Sequence, residues 1–514
     1  MNVDYRLPRL IQLLDEFEEN DINYCHWKSN EHVIPAVKGD TDLDILFSEN
    51  QYEQVKHCLN NAGFIKFDTA GFLTYPFIED YLTIDESSGK ILHVHAHFRL
   101  IMGQKKIKAY RTPWEDKILN NKIWDDSAKI YTSRPVDELL LLIIRLVLKS
   151  DTFINTSFEE NKEIIDARIE FTWLKERVTE KNLIEQFERI FDEKYTSTIA
   201  EFYRDGITSD SLQNLSDHIS YELLKFKHLS DLRAKWERVI RKYHSKVASR
   251  NKRYNVLPIR NHRVLPEKGL IVAFLGVDGS GKSTQTELIT RELRKKMDSA
   301  FIYMGSGKGA PSFQRVMVKK VSQSIIHFAR VLKVANKQKK ETGELKESKA
   351  SVEQKRSKRV KIMKAIRGFS LASERKSKLK KARRLKDGGV IVVCDRYPQS
   401  QVPGFNDGLQ LNEMKESSNP LLKYFANYER RCYELSDEIK PDLVIKLIGK
   451  PEKLHKRRSE EISLDHLKEK QNGIKELQFK KITKIVEIDA TLSVEKILSV
   501  SMAEIGNIMR LNNL

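Results

Sequence analysis

The chain has 514 residues, enough for roughly two to four domains, so burying a core does not limit the fold. Its 91 lysines and arginines against 72 acidic residues leave a net charge of +19, which points to anionic partners such as nucleotides, acidic polymers or a membrane surface. Four scattered cysteines (Cys25, Cys58, Cys394, Cys432) form no CxxC pair and no zinc spacing, and fit a reducing cytoplasm. The acids between Asp4 and Glu19 exclude a signal peptide there, and the apolar run Leu139 to Leu148, broken by Arg145, is too short for a transmembrane span.

Leu7 to Phe17 has helical spacing. A strand-like segment follows near Tyr24-Cys25-His26-Trp27, then a glycine turn and the alternating run Asp42-Leu43-Asp44-Ile45-Leu46-Phe47. Gln51 to Ala62 reads as a helix closed by Gly63. Two strands, around Tyr81 to Ile84 and Ile91 to Phe98, flank a turn at Ser87-Ser88-Gly89. Together these form an α+β domain over residues 1–134.

In a strand, residues i and i+2 face the same way, so Asp42 and Asp44 share a face. Two carboxylates on one face can hold Mg²⁺ around a triphosphate. His93, His95 and His97 also alternate on one face, but one short strand rarely supplies a whole tetrahedral zinc site, so hydrogen-bonded or exposed histidines are expected. The stretch Gly39-Asp40-Thr41-Asp42-Leu43-Asp44-Ile45-Leu46 resembles the G-x-x-D-x-D strand of nucleotidyltransferases. Val94-His95-Ala96-His97-Phe98-Arg99-Leu100 is similar to a segment of a bacterial branch of that superfamily. The resemblance implies a third carboxylate near His95; Asp85 is the candidate substitute. A solvent-facing strand that carries two acids is the alternative reading.

Residues 135–245 are mostly helical in pattern, and 246–268, basic and containing Pro258 and Pro266, read as a linker. From Gly269 the apolar runs Leu270–Val277, Ala300–Met304, Val390–Cys394, Leu443–Ile448 and Lys484–Ile488 alternate with helical stretches. That alternation predicts an α/β domain over 269–514, a parallel sheet with helices on both faces and ligands beyond the strands' carboxyl ends. A long basic helical insertion, about 319–386, interrupts it. It is either a solvated face or a contact surface for a polyanion.

Gly276-Val277-Asp278-Gly279-Ser280-Gly281-Lys282-Ser283 fits G-x-x-x-x-G-K-[ST], with an apolar strand before it and helix formers from Thr284 after it. Strand, glycine loop and helix make a cradle of backbone N–H groups for phosphate; Lys282 reaches the outer phosphates and Ser283 can hold Mg²⁺. Asp395-Arg396-Tyr397 follows the strand Val390–Cys394, placing a carboxylate for a metal or hydroxyl beside a planar fork for phosphate. These two motifs, with Pro441-Asp442-Leu443-Val444 before Pro451-Glu452, and Ile488-Asp489-Ala490 before Ser493-Val494-Glu495, resemble thymidylate kinases.

The resemblance implies that Gly276, Gly279, Ser280, Gly281, Lys282 and Thr284 hold the triphosphate of ATP, with Ser283 on Mg²⁺. It implies that Asp278 meets the acceptor's sugar, that Arg396 and the adjoining Tyr397 meet its phosphate, that Asp395 serves the metal, and that Arg375 contacts the acceptor. Gly279 stands where some members place an arginine, so Lys456, Arg457 and Arg458 are the candidate lid cations. Leu371 stands where the family usually has an aromatic residue, and Met304-Gly305-Ser306-Gly307-Lys308-Gly309 replaces its proline-glycine turn. The leading expectation is an ATP- and Mg²⁺-dependent kinase of a nucleoside monophosphate such as dTMP, compatible with a homodimer. The alternatives are a bifunctional nucleotidyltransferase and kinase of a sugar or sugar phosphate in surface-polysaccharide biosynthesis, and a non-catalytic ATP-binding module that grips a polyanion.

Overall fold

The computed structural model describes residues 4–104, 106–150, 153, 158–250, 260–305, 349–402, 407–457, 463–479 and 483–513. They form two compact units: Met1–Pro266 with Lys296–Asp298 and Met502–Leu514, and Glu267–Lys295 with Ser299–Ser501.

The first unit is built on strands β1 (Tyr24–His26), β2 (Leu43–Phe47), β3 (Ile65–Thr69), β4 (Ile78–Ile84), β5 (Ile91–His97), β6 (Leu100–Met102), β7 (Tyr110–Thr112), β8 (Ile123–Asp125), β9 (Ile130–Thr132) and β10 (Arg263–Val264). Eight of them make a mixed sheet in the order β10-β3-β4-β5-β2-β1-β9-β8, while β6 and β7 form a separate ribbon. The pairing that positions chemistry is β2 beside β5, parallel, with Asp44 opposite His95. On the far side of β5, β4 runs antiparallel and sets Asp80 opposite His95 as well.

Helix Pro8–Glu19 starts on a proline whose missing N–H costs nothing in the first turn, and buries Leu10, Leu13, Leu14 and Phe17 at helical spacing. The helices Pro135–Val147, Lys162–Lys175, Glu180–Glu188, Thr196–Asp205 and Ser209–Leu223 follow in order. Asn161, Thr179 and Thr208 cap three of them by accepting backbone N–H bonds. Their core is continuous with Cys25, Trp27 and Leu46 of the α+β segment, so the two regions separated by composition share one apolar interior. The expected linker at 246–268 is more than a linker. Helix Asp231–Arg250 runs into it, and β10 adds a strand to the sheet by pairing with β3.

The second unit carries β11 (Ile271–Gly276), β12 (Ser299–Tyr303), β13 (Ile391–Asp395), β14 (Leu443–Ile448) and β15 (Lys484–Asp489) in the order β12-β13-β11-β14-β15. Every neighbouring pair is parallel. This is the parallel α/β sheet expected from the alternating pattern. Helix Lys349–Asp387 corrects the far end of the basic insertion. Ala365, Leu371, Ala372, Leu379, Ala382 and Leu385 are buried on its inner face, so its later turns belong to the domain's core. The flanking lysines and arginines masked that stripe in the sequence. Residues 319–348 of the expected insertion lie outside the described residues.

All four cysteines are free and buried. Among the described residues no helix is long and apolar enough to cross a membrane.

Candidate functional site

Strands β11 and β13 end side by side, with Phe274 paired to Asp395, and β14 flanks β11 with Leu447 opposite Gly276. The loop that leaves β11 therefore turns directly over the end of β13. A side chain at Gly276 would meet Ser280 Oγ at 2.4 Å and the Leu447 carbonyl at 2.9 Å, so the turn closes only on glycine. Gly281 caps the next helix, Lys282–Leu293, at φ +88°, in the left-handed region that favours glycine. The result is a cleft of about 790 Å³ lined by Asp278 through Gln285, Asp395, Arg396 and Arg457 among others.

Lys282 is buried at the loop's base and donates to the Val277 carbonyl at 2.7 Å. Burial and the nearby Arg396 charge push its pKa down to about 8. An incoming polyphosphate would restore a full charge there. Ser283 Oγ donates to Asp395 Oδ2 at 2.6 Å, while Asp395 Oδ1 is buried with no hydrogen-bond partner. A buried carboxylate oxygen left without a partner beside a serine hydroxyl fits a hard divalent cation.

Arg396 adopts φ +71°, unusual for a residue with a side chain, and is pinned by its N–H on the Phe274 carbonyl at 3.0 Å. Its Nη2 meets Asp278 Oδ1 at 2.8 Å and its Nη1 meets Asp407 Oδ2 at 3.3 Å. Burial opposes the Asp278 charge, but Lys282 and Arg396 hold its carboxyl below the ordinary range. Lys470 lies 3.6 Å from the other Asp278 oxygen. Arg457 donates to the carbonyls of Gly279 at 3.3 Å and Ala490 at 3.1 Å, which sets a cation at the loop. Arg458 lies outside the described residues.

Two expected acceptor contacts sit elsewhere. Tyr397 is buried and donates its hydroxyl to the Ile439 carbonyl, so it serves the core rather than the cleft. Arg375 is also buried, yet it connects to the cleft through Asp407: its Nη2 donates to Asp407 Oδ1 at 2.7 Å and its Nε to the Met304 carbonyl at 3.2 Å. Asp407 and Lys470 carry no motif and were invisible to sequence reasoning.

A second cluster lies in the first unit. Asp42 and Asp44 both meet histidines of β5, as their shared face requires. Asp42 Oδ1 is 2.9 Å from His93 Nδ1, and His93 Nε2 is 2.8 Å from Asp80 Oδ1. Asp44 Oδ1 is 2.9 Å from His95 Nδ1, 3.4 Å from His97 Nε2 and 2.9 Å from Lys28 Nζ. Burial opposes ionisation of all three acids, but the histidines and the cations Lys28 and Arg263 hold them well below the usual carboxylate range. Burial pushes the pKa of the adjacent Lys108 down to about 7.

Asp85 is corrected as the third carboxylate. It closes the turn by accepting from Ser87, Ser88 and the Arg9 N–H. Asp80 stands near His95 instead, at 4.0 Å, and is also 2.9 Å from Arg263 Nε. It was missed because β4 begins at Ile78, earlier than the apolar run suggested.

No family model matches the chain. The uncharacterised ATP-binding protein YghS of Escherichia coli (strain K12) is 30% identical over 240 residues, covering 46% of this chain and 92% of YghS. The uncharacterised ATP-binding protein YghR of the same strain is 26% identical over 180 residues, covering 34% of this chain; the chain spans only 64% of YghR's length. Among solved structures, deoxyadenosine kinase from M. mycoides with bound dATP matches at a TM-score of 0.24 and 13% identity, over 46% of this chain and 98% of that one. Thymidylate kinase from Candida albicans matches at 0.25 and 14% identity, over 46% of this chain and 91% of that one. TM-scores this low assign nothing by themselves.

Proposed function

The chain belongs to the family of the Escherichia coli ATP-binding protein YghS, and from that premise we propose that it is an ATP- and Mg²⁺-dependent phosphotransferase whose acceptor carries a phosphate. One observation carries the reading: Lys282 and Arg396 line the same cleft, two cations set to grip two anions. Asp278 bonds Arg396 and keeps it aimed along the loop until an acceptor phosphate competes for it.

The loop amides and Lys282 would hold the donor's polyphosphate, and Ser283 with Asp395 would hold Mg²⁺, which when bound neutralises charge on the phosphates. In the transfer an acceptor phosphate oxygen forms a bond to the γ-phosphorus as the bond to the bridging oxygen breaks, and ADP leaves. The protein's part is electrostatic. Arg396 positions the acceptor, and Arg457, whose bonds among the described residues are to two carbonyls, can swing to the moving group. A nucleoside monophosphate such as dTMP is the leading acceptor, supported by the thymidylate-kinase-like motifs; a sugar phosphate is the alternative.

The test is ADP release by the full chain given ATP, Mg²⁺ and a panel of nucleoside monophosphates and sugar phosphates. Turnover should appear with one acceptor class and fall by at least about 10²-fold in Lys282→Ala. Calorimetry that finds no ATP binding, or ATP binding with no turnover on any acceptor, would sink the phosphotransferase reading.

A further inference from the structure

The cluster around Asp44 has a geometry that ordinary ion pairing does not require. Three ligand atoms close a triangle: Asp44 Oδ1 to His95 Nδ1 2.9 Å, His95 Nδ1 to His97 Nε2 3.2 Å, and His97 Nε2 to Asp44 Oδ1 3.4 Å. Ligands bound about 2.0–2.1 Å from a common ion lie roughly 2.8–3.4 Å apart, from octahedral to tetrahedral angles. The strands enforce the arrangement. His95 and His97 share a face of β5, and the parallel register of β2 sets Asp44 beside His95.

We infer that Asp44, His95 and His97 bind one divalent transition-metal ion of the zinc class. Two imidazoles and one carboxylate select zinc, iron or cobalt over magnesium, which prefers oxygen alone. Asp42, paired with His93, is not a ligand, so the site differs from the magnesium pair expected at Asp42 and Asp44.

The surroundings match a functional centre. Asp80 Oδ1 lies 4.0 Å from the other His95 nitrogen, beyond hydrogen-bond reach, and bonds His93 Nε2 at 2.8 Å instead, so it adds negative charge beside the cluster. The Trp27 ring packs edge-on against His97, with centroids 5.2 Å apart, and fixes that ring. Asp44 also lines a cleft of about 330 Å³ with His26, Ser29, Asp40 and Asp42. Three protein ligands, of which Asp44 borders that cleft, leave coordination positions for water or an oxygen-bearing substrate. Lys28, 2.9 Å from Asp44, supplies the counter-charge until the ion arrives.

The test uses the full chain, stripped with a chelator and free of nucleotide, titrated with Co²⁺ and then Zn²⁺. One Co²⁺ per chain should bind with visible absorption of imidazole-ligated cobalt, and Zn²⁺ should displace it. His95→Gln and His97→Gln should each weaken Zn²⁺ by more than the roughly 10–100-fold typical of an outer partner. Lys28→Met should strengthen binding, and His57→Gln should leave it unchanged. Should the cluster variants fail to fold, X-ray absorption on the zinc-loaded wild type should count two imidazoles. No uptake by the wild type, uptake indifferent to both histidines, or a zinc shell without imidazole would overturn the inference.

Discussion

Asp407 shows how one unannounced residue can organise a site. One carboxylate oxygen takes Arg375 at 2.7 Å and the other takes Arg396 at 3.3 Å, while its own carbonyl accepts a second Arg375 bond at 3.2 Å. It thereby ties a buried arginine on helix Lys349–Asp387 to the arginine proposed to hold the acceptor. Asp407→Asn keeps the shape and removes the charge. A hydrogen bond to a charged group contributes about 1.5–3 kcal/mol, so Arg396 should lose its aim and the acceptor KM should rise roughly 10-fold or more. The KM for ATP should change much less, because Asp407 acts on Lys282 through its charge alone and not through a hydrogen bond among the described residues. Initial-rate kinetics in both substrates decide it, and an unchanged acceptor KM in a folded variant would remove Asp407 from this role.

Elements that bury both faces were plain in the sequence, and those that bury one face briefly were not. The runs Ile271–Gly276, Ile391–Asp395 and Leu443–Ile448 are almost wholly buried, and their continuous apolar character announced a parallel sheet and the loop at its end. By contrast, β3 spans five residues with Lys66 exposed, and β10 spans two, so neither leaves a periodic signal. Contacts made by register, such as Asp80 with the β5 histidines, depend on which strands pair, and no local pattern encodes that.

The same limit hid a group of acids brought together by three elements. Glu31 of the turn Asn30–His32, Glu138 of helix Pro135–Val147 and Glu170 of helix Lys162–Lys175 place carboxylate oxygens within 4.8 Å of one another. Burial, then the Glu170 charge, pushes the Glu31 pKa up to about 7. A raised folded pKa means the native state keeps a proton that the unfolded chain loses, so ionising Glu31 costs stability increasingly from about pH 4.5 up to about 7. Glu31→Gln should therefore match the wild type near pH 4 and exceed it in stability at pH 8. Urea titrations at both pH values test this; an equal gain at both would place the effect outside ionisation.

Charge is the property that belongs to the whole molecule, a net +19. A nucleotide cleft alone does not account for it. Helix Lys349–Asp387 carries sixteen basic residues against three acidic ones, and Lys361, Lys364, Arg367, Lys380, Arg383 and Arg384 are exposed along it. Two of these have acidic neighbours, Lys364 with Glu413 at 3.4 Å and Arg383 with Asp387 at 3.8 Å, and such exposed pairs are weak enough for a phosphate chain to displace. Each phosphate of a single-stranded polyanion that a cation neutralises adds about −0.7 to the slope of log affinity against log salt. Contact through about four of these side chains therefore predicts a slope near −3 for single-stranded RNA, read by fluorescence anisotropy between low and physiological salt. The triple change Lys380→Glu, Arg383→Glu and Arg384→Glu should flatten that slope and leave ATP affinity alone, since none of the three lines the cleft. A slope that survives the triple change would mean that this helix is only a solvated face and that the excess charge acts from elsewhere in the chain.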